Sequence, residues 1–111
     1  MMLPTMALAG EADVVSATAT PTGGDTWRVE ATVRHADEGW DHYANAFEVL
    51  DPQGKVLGVR ELLHPHVNEQ PFTRSLGGVA IPPETAFIMI RAKDSVHKYG
   101  GAEFRIDLPT Q

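Results

Sequence analysis

Histidine is the residue type in this chain that is best suited to site chemistry, and its five copies fall in three short segments. His35 and His42 lie on either side of an acidic stretch, His64 and His66 form a His-Pro-His motif, and His97 stands in the segment KDSVH. Imidazole is the commonest protein ligand of transition metals, and it also exchanges protons near neutral pH. The first chemistry to consider is therefore metal binding.

The His-Pro-His motif has a spacing that suits chelation. In an extended segment, residues two apart project to the same side, with their Cα atoms about 7 Å apart. Pro65 keeps the preceding residue extended. We therefore predict a metal site formed by His64, His66 and His97. Additional ligands or hydrogen-bond partners are expected among nearby polar residues. These are His42, Asp94 and Glu69.

The available donor atoms restrict the choice of metal. Imidazole sets suit Zn(II) and Cu(II), whereas Cu(I) prefers sulfur ligands. The chain has no cysteine, and Met89 is the one methionine beyond the first six residues. The predicted cofactor is thus Cu(II) or Zn(II).

Each histidine also has a purely structural interpretation. His35 continues the inward phase of its strand and is predicted to be a core-edge residue with a satisfied hydrogen bond. His42 lies in the segment WDHY, where aromatic packing would plug a loop. Many His-x-His pairs bind no ion, so a non-metal role for these loops stays open.

Composition limits the other partners. The chain has 111 residues and a formal net charge of −6, and its nine basic residues are scattered. Nucleic acids and anionic membranes require a local excess of Lys and Arg, so neither is expected as a partner. The length suits one domain, which we place at residues 10–111.

The hydrophobic pattern has a period of two. In TWRVEATVRH, the residues Trp27, Val29, Ala31 and Val33 alternate with polar ones, which indicates a half-buried strand. Gly and Pro mark the turns, and a bulge is expected at 77–78. Similar segments predict seven strands, at 12–20, 26–35, 44–50, 55–63, 71–81, 86–94 and 103–109.

Seven short strands with these turn spacings resemble an all-β, two-sheet antiparallel sandwich of the immunoglobulin or fibronectin type III kind. The resemblance lies in strand count and turn spacing, because the cysteine pair of immunoglobulin domains is absent. If successive strands alternate in direction, as short connections favour, all five histidines emerge at one end of the sandwich.

The first nine residues, MMLPTMALA, are apolar and uncharged. Small residues at the first and third positions of Ala-Leu-Ala match what a signal peptidase selects. We therefore predict that residues 1–9 are the end of an export signal, or else a disordered N-terminus. The expected location is periplasmic or secreted, with no membrane insertion of the mature chain.

Together these observations predict a small exported sandwich that binds Cu(II) or Zn(II) through loop histidines. At the level of architecture it resembles small exported copper-binding sandwiches, although it lacks their methionine-rich segments. The alternative is an interaction module that binds another exported protein through the same loops or a sheet edge. Catalysis is not expected, because no nucleophile elbow or phosphate-binding loop is present.

Overall fold

The computed structural model describes residues 11–35, 39–66 and 69–109. The predicted export segment, residues 1–9, lies outside these ranges. Seven strands follow in chain order: β1 (Asp13–Gly23), β2 (Thr26–Arg34), β3 (Ala44–Leu50), β4 (Val56–Glu61), β5 (Phe72–Ala80), β6 (Phe87–Asp94) and β7 (Phe104–Asp107). The described ranges contain no helix, and therefore none that is long and apolar enough to span a bilayer.

The strands form two antiparallel sheets. One sheet has the order β1-β2-β5, and the other has the order β4-β3-β6-β7. Every pair of hydrogen-bonded neighbours is antiparallel, as the short connections predicted. The all-β, seven-stranded, two-sheet prediction is therefore confirmed. β6 pairs with β3 on one side and β7 on the other, which agrees with its strongly apolar sequence.

Two inward-facing rows of side chains build most of the core. Along β2, Val29, Ala31 and Val33 are buried, and along β6, Ile88 and Ile90 are fully buried. Both rows obey the period of two that a strand imposes. Phe47 and Val49 of β3 fill the space between the sheets.

Two irregularities in the strands have clear causes. The register between β2 and β5 shifts between Trp27 and Val29, opposite Gly77 and Gly78, so the predicted bulge is present. β1 continues to Gly23, beyond its predicted end at residue 20, and Pro21 pairs with Trp27. Proline is tolerated there because β1 is an edge strand, where a missing N–H need not break the ladder.

All five histidines lie at one end of the sandwich. β2 ends and β5 begins at the same level, since Val33 pairs with Phe72. In the other sheet β3 begins where β4 and β6 end, since Ala44 pairs with Asp94. The segments before β3, before β5 and after β6 therefore leave at this end. We call it the histidine pole, defined by His35, His42, His64, His66 and His97.

Candidate metal centre

His35 and Asp94 face each other across the top of the core. His35 is the next inward position after Val33 of β2, and Asp94 is the next inward position after Ala92 of β6. His35 is 3% exposed and Asp94 is fully buried. Because β2 and β6 belong to different sheets, their inward rows meet at the histidine pole, and there the apolar core ends in polar side chains.

His42 completes a compact group with these two residues. Its Nε2 lies 3.3 Å from Nε2 of His35 and 3.6 Å from Oδ1 of Asp94. Nε2 of His35 lies 3.5 Å from Oδ2 of Asp94. One ligand atom from each of the three residues therefore falls within 4.8 Å of the other two.

These separations match what a small transition-metal ion requires. Zn(II) binds nitrogen and oxygen at about 2.0–2.1 Å, which places two ligand atoms of a tetrahedron about 3.3–3.4 Å apart. The distance of 3.3 Å between the two Nε2 atoms fits that spacing. The two distances to Asp94 end on different oxygens, 3.5 Å from His35 to Oδ2 and 3.6 Å from His42 to Oδ1, so the carboxylate presents one oxygen to each imidazole.

Reciprocal hydrogen bonds hold the two loops together. Ser95 donates its backbone N–H to the carbonyl of Tyr43 at 2.9 Å, and Tyr43 donates its N–H to Oγ of Ser95 at 3.1 Å. Since Tyr43 follows His42 and Ser95 follows Asp94, this clamp sets the position of one ligand relative to the other.

The carboxylate of Asp94 is held by its own turn. Its Oδ1 accepts the backbone N–H of Val96 at 2.8 Å and that of His97. Burial by itself raises the pKa of Asp94, but the two N–H donors, the His97 ring and the nearby charge of His35 together outweigh it, so the pKa lies below its ordinary value. Asp94 is therefore ionised at neutral pH and supplies a negative charge to the site.

His97 lies at the outer margin of this group. Its Nδ1 is 3.2 Å from Oδ2 of Asp94, and its ring centroid is 4.9 Å from that of His42. The side chain is 38% exposed. Of the predicted ligands, the structure thus brings His97 together with His42 and Asp94.

The His-Pro-His motif has different contacts. The rings of His64 and His66 are 4.7 Å apart, and His66 stacks on Phe72 at 3.9 Å. Nε2 of His66 lies 2.9 Å from Nη2 of Arg74. Because the guanidinium carries donors only, this nitrogen accepts, and a cation here would face a neighbouring positive charge. Glu69 is exposed on the same connection.

A joint site of His64, His66 and His97 stays a prediction, whereas the group that the structure assembles centres on His35. The sequence interpretation left His35 out of the ligand set because its inward phase suggested a core residue. The inward position of His35 was in fact the sequence feature that could have identified it as a ligand. Asp94 has the same inward phase on a strand that ends at the same pole, so the two residues meet when the two sheets pack face to face.

Comparisons with known proteins add one relationship. No family model matches the chain, and no solved structure matches it. A protein of Halomicrobium mukohataei with the name "Putative lipoprotein" is 39% identical over 97 residues. The match covers 87% of this chain and 47% of that protein. The chain therefore spans about half the length of this relative.

Proposed function

We propose that this chain is an exported β-sandwich protein that binds a divalent transition metal ion, Cu(II) or Zn(II), at the histidine pole. The ligands are Nε2 of His35, Nε2 of His42 and the carboxylate of Asp94. The observation that carries the proposal is the convergence of two Nε2 atoms, 3.3 Å apart, on the Asp94 carboxylate at the buried end of the core. One carboxylate oxygen lies 3.5 Å from His35 and the other lies 3.6 Å from His42.

The donor set suits ions of intermediate hardness. Two imidazoles and a carboxylate occur at zinc sites with three protein ligands, and imidazole also suits Cu(II). The same donor types hold Fe(II) in some non-haem iron sites, so Fe(II) belongs in any panel of ions tested. Neither cysteine nor methionine is among the three ligand residues, which disfavours Cu(I).

Electrostatics also favour a cation here. The ionised Asp94 is fully buried next to an apolar core, where an uncompensated charge is costly. Two backbone N–H groups and the neighbouring imidazoles outweigh that cost and keep the carboxylate ionised. The site therefore offers a divalent ion an anionic ligand beside two imidazole nitrogens.

Export is supported by two independent features. The relative from Halomicrobium mukohataei has the name "Putative lipoprotein", and the Ala-Leu-Ala of residues 7–9 fits a signal-peptidase site. We propose a periplasmic or secreted location. The fold is compatible with an immunoglobulin-like or fibronectin type III-like sandwich, and we propose that finer class on strand number and two-sheet pairing.

We propose binding rather than catalysis as the activity. The ligand residues are almost entirely buried, with exposed side-chain fractions of 0%, 11% and 0% for His35, His42 and Asp94. A groove of about 340 Å³ lies beside the site, over β3 and β4. None of the three ligand residues lines this groove, so a substrate held there would not reach the ion.

Calorimetric titration of the purified protein with Cu(II) and Zn(II) tests the proposal. Wild type should bind one equivalent with a Kd below about 10 μM, equivalent to roughly −7 kcal/mol. His42→Ala should weaken binding at least about tenfold, because one of three ligands is lost. Wild-type affinity no tighter than about 10 μM for each ion in the panel would refute the proposal.

His64→Ala is the matched control for this experiment. It removes an exposed imidazole from the same pole without touching the three ligands. Unchanged affinity is expected. If His64→Ala and His66→Ala abolished binding while His42→Ala did not, the ion would sit at the His-Pro-His motif instead, as the sequence first suggested.

A second function is favoured by one specific observation. Large apolar side chains are exposed at or beside the histidine pole, with Leu63 74%, Trp40 66% and Val96 53% accessible. We propose as the alternative an interaction module that uses these loops to bind another exported protein. In that case the histidine–aspartate group is a structural network, and a chelator would leave partner binding unchanged.

A further inference from the structure

We propose that His97 is the residue through which the ion enters and leaves the site, and that its imidazole fills the fourth coordination position once the ion is bound. This inference rests on the proposed metal-binding function and extends it to the exchange of the ion with solvent.

The first support comes from accessibility. The side chains of His35 and Asp94 are 0% exposed, that of His42 is 11% exposed and that of His97 is 38% exposed. Of these four side chains, the His97 imidazole is therefore the most accessible to an ion in solvent. A chelator or a competing ligand from another protein would also reach the ion on this side.

The second support is distance. Nδ1 of His97 lies 3.2 Å from Oδ2 of Asp94, which is close to the spacing of about 3.3–3.4 Å expected for two ligands of one tetrahedral ion. The ring also lies beside His42, with 4.9 Å between centroids. His97 thus lies beside Asp94 and His42 but outside the group whose ligand atoms all fall within 4.8 Å of one another, so its ring would have to turn towards the ion to bind it.

The third support is the contrast between a fixed main chain and an exposed ring. Asp94 and Lys98 exchange two backbone hydrogen bonds, at 3.0 and 3.1 Å, and the N–H of His97 is bound to Asp94. The turn is therefore held in place. The imidazole, with 38% of its side chain exposed, is the more accessible part of this turn.

Spectroscopy of the Cu(II)-loaded protein tests this role. Relative to wild type, His97→Gly should change the Cu(II) paramagnetic resonance and visible spectra. Added imidazole should shift the His97→Gly spectra back towards those of wild type, because it would occupy the vacated position. Wild type should not respond to the same imidazole. Removal of Cu(II) by EDTA should be at least about tenfold faster in the variant, because the loss of a ligand should cost at least as much as the loss of an outer partner.

His64→Gly serves as the control, since it removes an exposed imidazole that lies outside the proposed ligand set. His97→Gln is a second variant that keeps a polar side chain near Asp94 and covers the case in which glycine unfolds the turn. If both His97 variants have the wild-type spectra and EDTA rates, with no imidazole response, the exchange role is wrong. Absence of Cu(II) binding in wild type would instead refute the proposed function itself.

Discussion

The Nε2 atoms of His35 and His42 lie 3.3 Å apart, although one residue follows a strand of the first sheet and the other precedes a strand of the second. Between two neutral rings at this distance, one nitrogen donates and the other accepts. An ion between them would replace that single hydrogen bond with two coordinate bonds. The contact therefore joins the two sheets whether or not an ion is present.

Metal affinity should depend on pH through the imidazoles rather than through Asp94. Protons compete with the ion for the imidazole nitrogens. Asp94 stays ionised at neutral and mildly acidic pH because its pKa is lowered. Calorimetric titrations between about pH 7.5 and pH 5 should therefore show affinity that falls steadily with pH. Constant affinity across that range would contradict imidazole ligation.

Asp94→Asn should reduce stability at neutral pH by about 1–3 kcal/mol, because the buried carboxylate accepts two backbone N–H groups. Since the folded-state pKa of Asp94 is lowered, the carboxylate contributes fully to stability at pH values above its ordinary pKa of 3.8. That contribution is lost as the pH falls through the folded-state pKa. Urea unfolding at several pH values should show the difference between wild type and variant shrinking in acid.

Asp107→Asn is the control for this measurement. Asp107 pairs with Arg105, and its side chain is 77% exposed, so its removal should change stability by less than about 0.5 kcal/mol. If the difference in unfolding free energy between wild type and Asp94→Asn grew as the pH fell, the pH dependence would be opposite to the one expected. That result would show that the folded-state pKa of Asp94 is not lowered.

Gln70 should position His35 for the site. Its Oε1 accepts the N–H of His35 at 3.0 Å, and its Nε2 donates to the carbonyl of His66 at 2.9 Å. Gln70→Ala removes both bonds, so we expect a loss of about 1–2 kcal/mol in unfolding free energy and several-fold weaker Cu(II) binding. Gln53→Ala, in an exposed turn, should change neither quantity. Equal effects of the two substitutions would exclude this role.

The turn that carries His97 should be anchored by Tyr99. The Tyr99 hydroxyl donates to Oε2 of Glu48 at 2.8 Å. The guanidinium of Arg91 lies 3.8 Å from the centre of the Tyr99 ring, and Arg91 also forms an ion pair with Glu48. Tyr99→Phe should lower stability by about 1 kcal/mol.

The same contact predicts a shift in tyrosine ionisation. The hydrogen bond to Glu48, with burial and the charge of Glu48, raises the pKa of Tyr99. Tyrosinate absorbance should therefore appear at lower pH in Glu48→Gln than in wild type. The measurement is made with Tyr43 changed to Phe, which leaves Tyr99 as the one tyrosine in the chain. If Glu48→Gln leaves the titration of Tyr99 unchanged, the hydrogen bond does not form in solution.

Gly101 should tolerate no side chain. A Cβ at this position would overlap the backbone of Ala12, which precedes β1, and Val14 also donates to the carbonyl of Ala102 at 2.9 Å. Gly101→Ala should therefore destabilise the protein by about 1–3 kcal/mol. Gly77→Ala is the matched control, because a Cβ there meets nothing within 4 Å. Thermal unfolding of both variants would compare them directly.

Much of the fold could be predicted because strand periodicity is local. The alternation along β2 and the apolar β6 identified their inward faces, and the glycine pair at 77–78 predicted the bulge. The same local rule could not say which of the outer histidines would approach one another. That depends on the lateral order of strands, and nothing in the pairwise spacing of His64, His66 and His97 encodes it.

The sequence by itself indicated the strand class, the alternation of direction and the collection of all five histidines at one pole, because short connections favour antiparallel neighbours. Only the tertiary structure decided which of them meet. His35 and Asp94 converge because the inward rows of two different sheets end at the same level, and the guanidinium of Arg74 contacts Nε2 of His66. These relationships arise from sheet-on-sheet packing, which juxtaposes residues far apart in the chain.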